Sequence, residues 1–418
     1  MSKKTYVGVN NIARNVSKMY VGVNGVARKV KKAYVGVNGV ARQFWSGGYK
    51  TMTVIIDQSN SNPSTCCTYA DDAVGMTAGS SSWDEFFGHY PCQLDWNGNE
   101  VVKVNRHNFN EDINGNTIYP DTSQSNMMVA FPRLGLKITA QSPYLYISMT
   151  NNPHAESQGF EYNAHTKNGV DKSKFYVGTY LGDVITTTGG TKLCSHLSRI
   201  LPTFNKTISE FRTIANNSGY EQLAYYQLVF MQAMYVLKYK NLDSQSVIGK
   251  GITEDSDRRA VGGSEAYGMD SEIIRNFYPS YMTDGKHHVK LFGIEDFWGN
   301  VYSWVDGIYV TSNRHILTAN GNYNDSGQGY YDNGQGATTN LNGYISSVQG
   351  TTKTGFLGKG FSGSQTTYFT DYGYLNANCV SIFGGSYAYK EGAGIFAFMP
   401  CYASTYKGQN VTTRLMYL

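Results

Sequence analysis

A 14-residue unit occurs three times at the start of the chain: Tyr6-Val-Gly-Val-Asn-Asn-Ile-Ala-Arg14, Tyr20-Val-Gly-Val-Asn-Gly-Val-Ala-Arg28 and Tyr34-Val-Gly-Val-Asn-Gly-Val-Ala-Arg42. Three copies at one period mark a structural repeat. Asn24-Gly25 and Asn38-Gly39 lie between β-favouring runs, and Asn-Gly tolerates the two positive φ angles of a type I′ turn. Each copy is therefore expected to form a hairpin in which Val23 faces Val26 and Val21 faces Arg28. Isolated two-stranded hairpins are marginal in water. The arm, residues 1–48, is thus expected to become stable by pairing with copies from other subunits or with a larger assembly; a flexible tail is the other reading.

The arm also carries the charge. Residues 1–42 hold nine Lys or Arg and no Asp or Glu, so the remaining 376 residues are at −5 beneath a formal total of +4. Nucleic acid would suit such an arm, but its charges alternate with apolar residues and no aromatic stacking set accompanies them. A solvated strand face fits better, and no nucleic-acid partner is expected. No continuous apolar core of a signal peptide follows Met1-Ser-Lys-Lys-Thr. The most apolar run, Leu223 to Leu237, is broken by Gln227 and Gln232 and is shorter than the roughly 20 residues a membrane span needs. It reads as a buried helix, and membrane insertion is not expected. The six cysteines include no C-x-x-C, and adjacent Cys66 and Cys67 fit no zinc spacing. Free thiols are expected, with no metal and no cofactor.

A length of 418 residues predicts two or three domains. Residues 49–125 read as a small β-rich connector. Two segments there, Asp95-Trp-Asn-Gly-Asn99 and Asp112-Ile-Asn-Gly-Asn116, imitate calcium loops but lack Gly at the sixth position and Glu at the twelfth; turns are expected. From residue 126 to 418 one larger domain is expected. Thr207-Ile-Ser-Glu210 forms a capping box ahead of Ile208, Phe211 and Ile214 at helical spacing, and the Leu223–Leu237 run supplies a second helix. Beyond it the sequence predicts strands separated by long polar loops, notably 321–342 and 350–363, with no further helix. The expected fold class is α+β, with two helices and oversized loops on a strand-rich scaffold.

Three motifs in that region carry a family resemblance. Gly293-Ile-Glu-Asp-Phe-Trp-Gly-Asn-Val-Tyr-Ser-Trp-Val-Asp306, Phe383-Gly-Gly-Ser-Tyr387 and Asn410-Val-Thr-Thr-Arg-Leu415 resemble, in order and spacing, the marker segments of the formylglycine-generating-enzyme-like branch of the C-type lectin fold. The resemblance covers residues 126–418 and implies a C-type-lectin-like frame. It also implies which functions to weigh. Formylglycine-generating enzymes bind copper through two closely spaced cysteines, whereas Cys379 and Cys401 lie 22 residues apart; Ser303 and Phe383 replace the branch's Glu and Arg. Calcium-dependent lectins use Glu-Pro-Asn or Gln-Pro-Asp with Trp-Asn-Asp, strings this chain lacks. The remaining relatives are phage tail-fibre receptor-binding proteins, tropism determinants among them, which resemble this chain in placing aromatic- and Asn-rich residues near the C-terminus. The arm, in turn, is similar to N-terminal segments of prophage structural proteins.

Composition agrees with that third option. Charged residues are only 16%, while the chain holds 34 Tyr and 46 Gly, and Tyr, Ser, Gly and Asn are the residues binding loops favour. Ser386, Tyr387, Tyr389, Tyr402, Ser404 and Tyr406, with Tyr330 and Tyr331 in the earlier loop, are the candidate ligand-binding residues. No catalytic residue is assigned. Gly360-Phe-Ser-Gly-Ser364 lacks the closing Gly of a nucleophile elbow, and His287-His288 has no carboxylate partner identifiable in the sequence. The expected function is attachment to a bacterial surface glycan or protein by a homotrimeric virion tail protein, with the arm contacting other tail or baseplate proteins. Alternatives are a structural baseplate spacer, or an enzyme of the formylglycine-generating or glycan-hydrolysing kind.

Overall fold

The computed structural model describes all residues except 1–5, 10–11, 16–18, 24, 31–32, 38–39, 46–47, 120–123, 189 and 272–277. In the arm, Tyr6–Val9 pairs with Ile12–Asn15, Tyr20–Val23 with Val26–Lys29, and Ala33–Val37 with Val40–Trp45, all antiparallel. The register repeats: Val7, Val21 and Val35 stand opposite Arg14, Arg28 and Arg42. Of the expected Asn-Gly turns only Gly25 is described, with φ +76°; Asn24, Asn38 and Gly39 lie outside the described residues. Tyr20, Val21, Val23 and Val26 are exposed, because a lone two-stranded ribbon has nothing to bury them against.

From Thr51 onward the described residues build three larger sheets. The first has four strands in the order Gly135–Gln141, Tyr144–Thr150, Thr51–Asp57, Cys67–Asp71. The second has six, Glu100–Lys103, Tyr90–Asp95, Ser125–Pro132, Lys174–Gly178, Leu415–Tyr417 and Glu221–Gln222. The third runs Tyr331–Gln335, His315–Thr318, Tyr302–Val310, Cys379–Phe383, Phe398–Tyr402, and Val411–Thr412 joins it in parallel beside Tyr302. Strands predominate over helices, which is an α+β chain.

The sheets run across residue 125. Thr51–Asp57 pairs with Tyr144–Thr150 and Tyr90–Asp95 with Ser125–Pro132, while Cys67–Asp71 and Glu100–Lys103 pair in turn with Thr51–Asp57 and Tyr90–Asp95 at the sheet edges. Their short apolar runs looked self-contained because a sheet strand declares its period but not its partner.

The helix Ile208–Asn216 starts at Thr207 with the complete capping box. The second helix, Tyr225–Tyr239, is buried along its whole length and is the axle of the fold. Three of its polar side chains reach partners: the Gln227 amide donates to Ala164 O at 2.8 Å, that of Gln232 to Ile395 O at 2.7 Å, and the Lys238 ammonium reaches Asp84 and Asp270. Among the described residues no helix is long and apolar enough to cross a membrane. Short helices at Ser82–Phe87, Ser244–Val247 and Pro279–Thr283 were not expected; at four to six residues they are too short to show a 3.6-residue period. Likewise 331–335, read as loop, is an edge strand whose Tyr-Asp-Asn-Gly-Gln sequence has no apolar alternation.

The two calcium-loop imitations are turns. Asp95 Oδ1 accepts from Asn97 N and Asn99 N, and Asp112 Oδ1 accepts from Asn114 N and Asn116 N, at 2.8 to 2.9 Å.

The three C-terminal motifs meet in one knot. Gly299 and Asn300 both have positive φ, +79° and +59°, and a Cβ on Gly299 would fall 2.7 Å from Ile252 O. Gly299 N donates to Gly384 O, Tyr387 N to Asn300 O, and Tyr302 N to Asn410 O. Arg414, fully buried, donates to Glu295 O and Asp296 O at 2.6 and 2.7 Å, pinning the turn to the closing strand. The motifs are therefore structural.

Candidate functional site: a tyrosine field on the C-terminal sheet

Along the strand Tyr302–Val310 side chains alternate between two cores. Val301 and Val305 face the core around the central helix, whereas Tyr302 and Trp304 face the other side with Val380, Ile382 and Met399. That second face packs on Cys92, Leu94, Met128, Ala130 and Leu415 of the six-stranded sheet and on Ile208, Phe211 and Ala215 of the capped helix. Packed against this core are Tyr374, Tyr389, Tyr402 and Tyr406, whose rings are only partly buried.

The rings touch in sequence. Tyr344 packs on Tyr372 with centroids 5.3 Å apart, Tyr372 on Tyr374 at 5.5 Å and on Tyr389 at 6.3 Å, and Tyr389 on Tyr302 at 5.5 Å. Tyr402 and Tyr406 lie 4.3 Å apart, and each stands edge-on to Trp304 at 6.3 Å. Tyr302 and Trp304 are two residues apart on one strand face, which joins the two groups. Burial pushes the phenols of Tyr302, Tyr389 and Tyr402 well above their ordinary range. At neutral pH these three groups are uncharged hydroxyls on apolar rings, able to donate and to accept while offering flat faces for stacking.

Of the eight sequence candidates, Tyr389, Tyr402 and Tyr406 lie in this field. Ser386 is buried beneath it, and Ser404 sits half-buried in the turn between Tyr402 and Tyr406. Tyr387 is half-buried and fixed through its backbone to Asn300 and Asp255. Tyr330 and Tyr331 are not part of it: they lie at the opposite edge of the third sheet. The Tyr330 hydroxyl accepts from Asn324 N at 2.8 Å and so pins its own loop, while exposed Tyr331 carries the Lys353 ammonium 3.6 Å above its ring. Tyr302, Trp304, Tyr344, Tyr372 and Tyr374 were missed. The alternation Tyr372-Gly-Tyr374 was a usable signal, since residues two apart on a strand share a face.

His287-His288 also needs correction. His287 pairs with Asp284 at 2.9 Å, and His288 Nδ1 lies 3.0 Å from Asp296 and 3.9 Å from Glu295. Asp296 and Glu295 belong to the Gly293–Asp306 motif and the fold brings them to His288, whereas Asp284 is three residues from His287. The pair borders a cleft of about 340 Å³ lined by Arg259, Gly263, Tyr267, Lys286 and both histidines. Burial opposes the charge on His288, but Asp296 and Glu295 outweigh it and lift the imidazole to about 10. It is an imidazolium at neutral pH, an ion-pair partner with no proton to accept.

That charge is gained on folding. Its contribution is complete below the unfolded value of about 6.5 and is lost as pH rises through about 10. Lys290, pushed down by burial to about 7 against the pull of Glu295 and Glu265, titrates with the opposite slope above pH 7. The expected result is therefore stated as a difference: wild type exceeds His288→Gln in stability by on the order of a few kcal/mol near neutrality, and the gap closes between pH 6.5 and 10. Denaturant midpoints measured across that range test it; a constant gap would refute the imidazolium.

A wider, shallow groove of about 750 Å³ lies over the four-stranded sheet, lined by polar groups including Thr53, Asp71, Lys137 and Ser148 together with Tyr146 and Phe160. Thr53 bonds both Asp71, at 2.6 Å, and Ser148, at 2.8 Å, so its hydroxyls are turned to one another.

No protein-family model matches the chain, and no curated protein matches it. Solved structures to which it is similar include the Major Tropism Determinant M1 variant, at 14% identity over 99% of this chain and 85% of that one with a TM-score of 0.27. The I1 variant gives 14%, 99%, 86% and 0.28. The U1 variant gives 13%, 96%, 81% and 0.27. Scores of this size fall short of establishing a shared fold.

Proposed function

We propose that this chain is a receptor-binding protein of a phage tail, which attaches to a bacterial surface glycan or protein through the tyrosine field. The observation that carries the reading is the field itself: eight aromatic rings in two contact groups, six of them partly exposed, packed against the second core. Large rigid rings with polar tips bury much area at low entropy cost, and neutral hydroxyls suit a glycan or a polar protein surface. The three motifs support a C-type-lectin-like frame over 126–418. In this reading the arm, with its exposed Tyr20, Val21 and Val26, assembles a homotrimer or joins other tail or baseplate proteins in the virion, and multivalency firms weak individual contacts. The chain binds and does not catalyse.

The test is adsorption of the purified protein to a panel of bacterial strains. Tyr389→Ala/Tyr402→Ala/Tyr406→Ala is expected to reduce adsorption by about 100-fold, as loss of several anchors of roughly 1 to 2 kcal/mol each implies. Tyr331→Ala, on the far edge, should leave it unchanged. Adsorption that survives the triple replacement sinks the assignment of the field. Adsorption to no strain, with the field protected by another tail protein, favours a structural spacer.

A further inference from the structure

We propose that Asp183, Cys194 and His196 form a binding site for a single zinc-class divalent cation. The hairpin of Asp183–Thr187 and Gly190–Cys194 sets Asp183 directly opposite Cys194, and His196 follows two residues beyond the thiol. One carboxylate oxygen, one Sγ and one imidazole nitrogen lie within 4.8 Å of one another. Donors on a tetrahedral zinc ion stand about 3.3 to 3.8 Å apart, given bonds of about 2.0 to 2.3 Å, so side-chain adjustments of about an ångström complete three corners. The fourth corner is left to water.

The donor set chooses the ion. A sulfur and an imidazole beside a single carboxylate suit zinc and its borderline-soft neighbours, whereas calcium and magnesium require shells of oxygen. The surroundings are ordered as such a site requires. The Thr203 hydroxyl donates to Asp183 Oδ1 at 2.9 Å and Val184 N donates to the same oxygen at 2.9 Å, which fixes the carboxylate. Ser195, between the two other ligands, is clamped from both sides: its N–H donates to Asn126 Oδ1 and its hydroxyl to Met127 O. Cys194 is buried, and its S–H points at Asp183 O, 3.2 Å away; on binding that proton passes to solvent and the sulfur bonds the ion. The site was invisible to spacing rules because its third ligand comes from across a hairpin. It would tie the two strands of the hairpin to each other, independently of the tyrosine field.

The full-length protein, stripped with chelator and dialysed, is titrated with zinc alone and then with cobalt alone. One ion per chain by metal analysis, a rise in melting temperature with zinc, and a thiolate-to-cobalt charge-transfer band in the near ultraviolet are expected. Cys194→Ser should abolish the band and His196→Ala should weaken zinc binding by at least about tenfold, while Cys401→Ser leaves both intact. If Cys194→Ser does not fold, the His196→Ala titration and the Cys401→Ser control decide. Absence of stoichiometric zinc in the wild type, or a cobalt band that persists in Cys194→Ser, overturns the site.

Discussion

Replacing Arg212 with methionine is expected to destabilise the fold by about 3 to 5 kcal/mol, the usual cost of leaving a buried charge without its partner. Arg212 holds Asp306 in a bidentate grip, Nε to Oδ2 at 2.9 Å and Nη2 to Oδ1 at 2.6 Å, and also reaches Asp325 at 2.7 Å. Asp306 is nearly inaccessible, at 2% exposure. Burial raises its carboxyl above the ordinary range even with Arg212 pulling it down. Without the guanidinium only the Gln222 amide, 2.6 Å from Oδ2, remains. The pair also locks the helix Ile208–Asn216 to the strand that seats the tyrosines. Equilibrium denaturation measures the loss, and adding Asp306→Asn to Arg212→Met should recover part of it, because the neutral side chain removes the stranded charge. A single replacement costing under about 1 kcal/mol would mean that the ion pair is solvated after all.

Trp304→Ala should cost a similar amount, about 3 to 5 kcal/mol, and should also remove binding. Trp304 is fully buried, its indole N–H donates to Lys206 O at 3.2 Å, and its ring is the floor under Tyr402 and Tyr406. Deleting it opens a cavity and lets both tyrosines drop out of plane. Tyr406→Ala, by contrast, removes a half-buried ring and should weaken adsorption with little change in melting temperature. Comparing the two variants by calorimetry and adsorption separates support from contact. If Trp304→Ala melts like wild type, the second core is not what holds the field.

Much of the local structure was legible in the residues. Thr207 and Glu210 declared a helix start that the fold realises in full, and the Leu223–Leu237 run declared a helix apolar on all sides, found two residues later at Tyr225–Tyr239. Val301 and Val305 alternate with Tyr302 and Trp304, and the structure divides them between two cores. Partnership was not legible. Nothing in Met52-Thr-Val-Ile-Ile56 says that it pairs with Tyr144–Thr150. The same gap hid the carboxylates around His288 and the separation of Tyr330 and Tyr331 from the other tyrosines: both are consequences of which strands lie side by side.

The sequence alone therefore determined the hairpin periodicity, the capped helix, the apolar helix and the tyrosine-rich chemistry, since backbone preference and side-chain alternation act over a few residues. The tertiary structure decided the site. Tyr344, Tyr372 and Tyr389 come from separate strands and turns, and their rings meet only because Leu341–Tyr344 pairs with Tyr372–Leu375 and brings distant segments together, at a range no local pattern encodes.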